Sequence, residues 1–292
     1  MTMPLKSAPA PQTATETPFQ FLSSLAKELS SGRVELPSFP DVAARTQHVL
    51  SDDSVTSERI ARVVGSDAGL TGRILTMANS TLLHRGGAPV TDLKLAVARI
   101  GHGNIRTAAL AYATAQLRRA PDLSHIRVQL EKCWEEGVRV AALTHAMSKE
   151  ARGIRSDEAL LAGLLHNIGK IYIIARAPKQ AGALHIDDPI VRDWYPGIGT
   201  ALIENWKLPE AIAQAVGGQL EQDRTHEGEP ADLQDVLIVA VAIADQIANN
   251  ASDDAALARL PSATALGLTD SALVRIVLES QTEMETLQAA LG

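Results

Sequence analysis

The sequence predicts an all-α protein, and three observations carry that expectation. Apolar residues make up 46% of the 292 positions while aromatics supply only 3%, so Ala, Leu, Val and Ile must build the core. That balance favours helices over sheets. Apolar positions recur at helical spacing in segment after segment, with no strand alternation, hairpin signal or repeat period. Capping residues, Gly and Pro divide these segments into about a dozen helices of ordinary length.

Residues 1–18 are rich in Pro, Ala and Thr without an apolar period, and read as a flexible tail. The first helix is expected over residues 19–29, where Phe19, Leu22, Leu25 and Leu29 fall at helical spacing. DVAARTQHVL follows Pro40 and stops at the polar SDDS. SERIARVVGSD comes next, with Ile60, Val63 and Val64 on one face. Asp67 caps AGLTGRILTMANS, whose core residues should be Leu70, Ile74, Leu75 and Ala78. Residues 83–90 read as a loop. Thr91 or Asp92 opens DLKLAVARIG, Gly101 is its C-cap, and GHGN connects it to the helix NIRTAALAYATAQLRR.

Pro121 breaks the pattern and marks a seam between two helical lobes. A long helix is expected over residues 124–152, ending at Gly153. Ser156 or Asp157 then caps EALLAGLLHNIGKIYIIAR, with Leu160, Leu161, Leu164 and Leu165 as its apolar stripe and Gly169 weakening its continuity. IGTALIENWKLPEAIAQAV holds two helices split at Pro209. HEGEPAD is a loop, and ADLQDVLIVAVAIADQIANN and TDSALVRIVLESQTEMETLQAALG complete the set. The many short helices before Pro121 argue against a simple four-helix bundle.

The formal net charge is -7, whereas a protein living by phosphate-backbone contacts carries a basic excess, so no nucleic-acid partner is expected. Cys133 stands alone; it builds neither a disulfide framework nor a Cys-based zinc site and reads as a buried structural thiol. No basic segment followed by an apolar one opens the chain, so no signal peptide is read. The longest apolar run, residues 236–248, carries Asp245 and is too short to span a bilayer. The expectation is a cytoplasmic protein without a membrane partner. There is no GxSxG, Walker A or dinucleotide fingerprint. His48, His84, His102, His125, His145, His185 and His226 form no close metal-binding pair, and spacing gives no reason for His145, His166 and His185 to converge. Arg106, Arg118 and Arg119 read as solvated helix surface.

Several motifs together resemble the HDOD family, the bacterial HD-related output domain. The family's Leu-Pro-x-x-Pro falls on Leu36, Pro37 and Pro40, and its Asp-Pro-x-Leu on Asp67 and Leu70, with Ala68 in place of Pro. Its Asn-Ser pair falls on Asn79 and Ser80, and its Leu-Gly on Ile100 and Gly101. In the second half the Trp-bearing helix matches at Trp134 and the Ala-Gly-Leu-Leu-His box at Ala162 to His166. The Gly-x-x-Leu-x-x-x-Trp-x-Leu-Pro box falls on Gly199, Leu202, Trp206, Leu208 and Pro209. The resemblance covers residues 19–220. It implies an amino-terminal helical lobe, residues 19–120, packed on a lobe similar to HD-superfamily phosphohydrolases, residues 121–225. Residues 226–292 then pack on or complete the second lobe.

It also implies a signalling role, and a site to be tested position by position. Active HD relatives bind one or two divalent cations through a first His, a His-Asp pair and a distal Asp, and the metal lowers the pKa of a bound water towards about 7. Here Glu136 stands at the first position, His166 and Asn167 at the pair, and Asp245 at the distal position. Additional family histidines are replaced near Tyr195 and by Gly218 and Gln219. An amide offers one neutral oxygen where a carboxylate would bridge metals. The expectation is therefore a vestigial site without catalytic, cofactor or metal-binding residues. His166 is expected to be a buried, hydrogen-bonded core histidine, and Asp245 to pair with it or cap a nearby backbone group. Lys170 reads as a solvated lysine with no phosphate role. The function implied is that of a non-enzymatic regulator working through protein partners in trans, with homo-oligomerisation left open. The alternative is a degenerate metal-dependent hydrolase of an unknown phosphate ester.

Overall fold

Four of the first five helices start where a short polar side chain takes a free N–H of the first turn. The structure is a computed structural model that describes the chain except residues 1–16, 33–39, 53, 82, 84–87, 178–183, 227–228, 252–253 and 292. Thr17 and Gln20 form a reciprocal capping box, so α1 (Pro18–Ser30) begins inside the segment read as tail; the rest of that tail lies outside the described residues. Pro40 precedes α2 (Asp41–Leu50), and Thr56 caps α3 (Ser57–Val64). Asp67 accepts the Leu70 N–H at 2.8 Å to open α4 (Ala68–Ala78). Asp92 does the same for α5 (Leu93–Arg119), accepting from Leu95 at 2.8 Å. Leu36, Pro37 and His84 lie outside the described residues.

Two expectations shift in this half. Gly101, at φ 76°, is the expected break where one helix ends and the next begins within α5, but the chain resumes helix at once, so GHGN is no connecting loop. Met77 is buried and Leu75 only half so, because the stripe facing the core runs through Leu70, Ile74 and Met77. Asn79 exposes its side chain only to bind: its amide donates to the Leu75 and Val90 carbonyls at 2.9 and 2.8 Å, and its oxygen accepts the Val90 N–H at 2.7 Å. It thereby pins the segment that enters α5.

After a three-ten turn at Pro121–Ile126 come α6 (Arg127–Ser148), α7 (Ser156–Leu165) and α8 (Ile168–Arg176). The long helix is thus shorter at both ends than its pattern predicts, and Gly153 turns the chain at φ 82°. The residue before α7 is Arg155, not Ser156 or Asp157, and it pairs with Asp157 at 2.8 Å. Residues 156–176 are apolar and long enough by composition to cross a membrane, but helicity breaks at His166–Asn167 and most of the stretch is buried. The remaining helices are α9 (Pro189–Asn205), α10 (Glu210–Gly218), α11 (Leu233–Ala248), α12 (Asp254–Ala258), α13 (Pro261–Ala265) and α14 (Asp270–Leu291). No strand occurs among the described residues.

Two apolar clusters organise these helices. One joins α2, α3, α4 and α5 to one face of α6 and α7 through Trp134, Val138, Ala141 and Leu164. The other joins the opposite faces of α6 and α7 to α8, α9, α10 and α11. Because they are sandwiched between clusters, α6 is buried all round from Val140 to Ser148 and α7 from Ala159 to Leu165. They cross closely: a Cβ on Gly163 would lie 2.5 Å from the Ala141 Cα, and the Thr144 hydroxyl donates to the Ala159 carbonyl at 2.7 Å. Pro121 is not a clean seam. Leu22, Leu25 and Leu29 of α1, and Leu110 and Leu117 of α5, bury in the second cluster. At the other end α14 spans both, with Leu273 and Ile276 in one and Leu287 and Leu291 in the other.

Candidate functional site

The positions of the vestigial HD site meet where α6, α7, α8 and α11 converge. His166 is fully buried; its Nδ1 lies 2.7 Å from the Gly163 carbonyl, one turn back on α7. Its Nε2 points at Glu136 of α6, 3.5 Å from Oε1. Both ring nitrogens therefore face oxygens. The His166 carbonyl accepts from the buried Gln219 amide at 2.9 Å, so the residue replacing an expected histidine holds the loop instead.

Asn167 is as buried as its neighbour. Its amide nitrogen donates to the Cys133 carbonyl at 2.8 Å and to Glu136 Oε2 at 3.2 Å. The alternative amide orientation would set two carbonyl oxygens against each other, so the bond to Cys133 fixes which face of Asn167 meets Glu136. The side chain at the pair's second position is thus a donor towards the site. The Cys133 thiol beside it is buried, and burial pushes it up to about 12.

Lys170 departs most from expectation. Its side chain is only 17% exposed, and its ammonium lies 3.1 and 3.4 Å from the two Glu136 oxygens. On its other side the ammonium sits 4.9 Å from the centre of the Tyr195 ring. Gly169 makes this approach of α8 to α9 possible, since a Cβ there would lie 2.0 Å from the Tyr195 carbonyl. Burial alone would push the Glu136 carboxyl up. The His166 ring, the Lys170 ammonium and the Asn167 amide outweigh it and hold the carboxyl well below the usual range.

Asp245 neither pairs with His166 nor caps a backbone group. It lies exposed at the rim and makes no side-chain hydrogen bond or ion pair among the described residues. The protein around it, and then the Glu136 charge, push its carboxyl up. Between rim and floor opens a cavity of about 300 Å³ lined by Glu136, Lys170, Tyr195, Arg192 and Asp245 among others. His145, His166 and His185 do not converge. His145 bonds Glu283 of α14 at 2.8 Å, and His185 faces Asp187 at 3.3 Å. His226, which forms no close pair in the sequence, lies 2.9 Å from the buried Asp235.

A divalent ion would need oxygen and nitrogen lone pairs turned inward. The residues present do not fit one. The Glu136 carboxylate already receives an ammonium and an amide, Asn167 turns N–H groups to it, and Asp245 stands apart. Among the described residues no group of three or more His, Cys, Asp or Glu side chains is arranged to hold a metal.

A family model described as "HDOD domain" matches residues 36–221. Solved structures share the fold. One, from Shewanella amazonensis SB2B and assigned by name only as a metal-dependent phosphohydrolase, is 24% identical over 94% of this chain and 99% of its own, with a TM-score of 0.72. An HDOD domain protein of unknown function from Geobacter sulfurreducens is 20% identical over 92% of this chain and 97% of its own, with a TM-score of 0.62. A third, from Marinobacter aquaeolei VT8 and named for signal transduction, is 21% identical, with a TM-score of 0.59; the match covers 94% of this chain and 65% of that one. Among curated proteins none matches the chain.

Proposed function

The chain belongs to the HDOD family, and from that premise we propose that it is a non-enzymatic regulator in bacterial signal transduction, acting through protein partners in the cytoplasm. One observation carries the non-enzymatic part. Asn167, at the position of the metal-bridging carboxylate, has both its donor contacts committed, to the Cys133 carbonyl and to Glu136. With its amide nitrogen held by those two acceptors, Asn167 supplies no anionic bridge for a metal that would polarise a phosphate or acidify a water. The regulatory part rests on the family and on the name of the Marinobacter structure, which describes signal transduction.

The name of the Shewanella structure points to the other reading, a metal-dependent phosphohydrolase. Turnover of bis(p-nitrophenyl) phosphate and of nucleotide phosphate esters, with and without Mn²⁺, separates the two. The regulator shows no turnover above buffer. Metal-dependent turnover abolished by His166→Ala would overturn the proposal.

A further inference from the structure

Two donors turn towards one carboxylate in this site, and one of them carries a full charge. Glu136 is three-quarters buried, and a carboxylate so placed needs a partner of opposite charge. Here the His166 ring nitrogen faces Glu136 at 3.5 Å, the Asn167 amide donates at 3.2 Å, and the Lys170 ammonium sits at 3.1 Å.

We propose that Lys170 is the resident cation of this site: its ammonium meets the charge of Glu136 from within the chain and closes the site to divalent ions. This deepens the regulatory reading and rests on it.

The placement of Lys170 is built rather than incidental. Lys170 lies in the first turn of α8, directly after Gly169, whose lack of a side chain lets α8 touch the α9 backbone. That contact brings Lys170 beneath the Tyr195 ring, which attracts the ammonium through its π face and covers it from the side opposite Glu136. A lysine free to leave would be solvated; this one is 17% exposed. A divalent ion on Glu136 would sit within a few ångström of a fixed positive charge, with no second carboxylate to offset it, because Asn167 is neutral and Asp245 is at the rim.

Removing the ammonium should reverse this. Glu136 would keep its charge, and His166 Nε2, which has no hydrogen-bond partner among the described residues, would remain beside it. A carboxylate, an imidazole and water are an ordinary donor set for Mn²⁺.

The test is a calorimetric Mn²⁺ titration of the full chain after chelator treatment, comparing wild type with Lys170→Met and Lys170→Arg. Wild type and Lys170→Arg should bind no ion stoichiometrically, while Lys170→Met should take up one equivalent, tenfold or more tighter than either. A Lys170→Met protein that binds no better than wild type overturns the role of Lys170 and leaves the regulatory reading standing. A Lys170→Arg protein that opens as readily as Lys170→Met also overturns it, since bulk rather than charge would then close the site. Wild-type protein that binds one equivalent overturns the dismantled site itself. Should Lys170→Met fail to fold, Lys170→Gln takes its place. Independently, acetylation of native wild-type protein neutralises Lys170 after folding. Mn²⁺ uptake should then track the modified fraction of the Lys170 peptide, and uptake independent of it counts against the inference.

Discussion

Asn167→Asp puts back the residue type of the His-Asp pair, and the structure predicts that it does not put back the chemistry. The amide donates to the Cys133 carbonyl at 2.8 Å and to Glu136 Oε2 at 3.2 Å, both within the buried floor of the site. An ionised Asp donates to neither. Leaving a buried carbonyl without its donor costs about 1–3 kcal/mol. A second carboxylate at the Glu136 distance adds repulsion of about 5 kcal/mol at an effective dielectric of about 20. The new carboxyl avoids most of that by holding a proton, which gives a net loss of about 2–4 kcal/mol at neutral pH. That lowers Tm by on the order of 10 °C in a chain of this size. The introduced group has a folded pKa raised above its unfolded value by burial and by Glu136. Its folded state binds more protons, so the deficit relative to wild type is smallest in acid and widens as pH rises through the raised value. Differential scanning calorimetry of both proteins from pH 5 to pH 8, with and without Mn²⁺, reads this directly. An Asn167→Asp protein as stable as wild type at pH 8, or one stabilised by stoichiometric Mn²⁺ with Lys170 intact, refutes the reasoning.

Other substitutions test the packing and charges around the site. Gly169→Ala places a Cβ 2.0 Å from the Tyr195 carbonyl and 2.9 Å from the Gly199 nitrogen, so α8 and α9 must separate; urea unfolding should show a loss of at least about 3 kcal/mol, and a loss under about 0.5 contradicts the contact. Glu283 ties α14 to His145 and Lys149 of α6: burial would raise its carboxyl, but those two partners outweigh it and lower it. Its contribution is therefore present above the ordinary Glu value of about 4.3 and lost as pH falls through the lowered folded value. Glu283→Gln should cost about 1–3 kcal/mol at pH 7, a deficit that disappears in acid; a pH-independent difference in Tm sinks this assignment. The Cys133 thiol, buried and pushed up to about 12, should resist a disulfide reagent at pH 8 in folded protein and react fully in guanidinium; rapid labelling of the native state contradicts its burial.

Much of the fold is legible in the sequence because it is set locally. The caps at Asp67 and Asp92, the bounds of α2 and the break at Pro209 follow from residues within a turn of one another. Other features escape a local reading. Arg155 rather than Ser156 precedes α7, the helix after Pro121 is trimmed at both ends, and α1 packs into the second cluster, a placement decided by what lies across the core. The two short helices between α11 and α14 carry too few apolar positions to show a period.

At the site, the residue types are legible from the chain alone: an amide where a bridging carboxylate is needed, a histidine in an apolar helix, a glycine and a lysine after it. It also placed Glu136, His166 and Asn167 together through the family pattern. Which way those groups face follows from packing between helices distant in sequence. Lys170 lies 34 residues from Glu136 along the chain, and no spacing rule joins them. Their contact exists because α8 can approach α9 at Gly169 and because α6 crosses α7 closely at Gly163. Asp245, apolar neighbours and all, ends at a solvent-facing rim because the last turn of α11 runs past the core that buries its middle. Periodicity reports which face of a helix is covered; the direction of a buried charge depends on helices that meet only once the chain has packed.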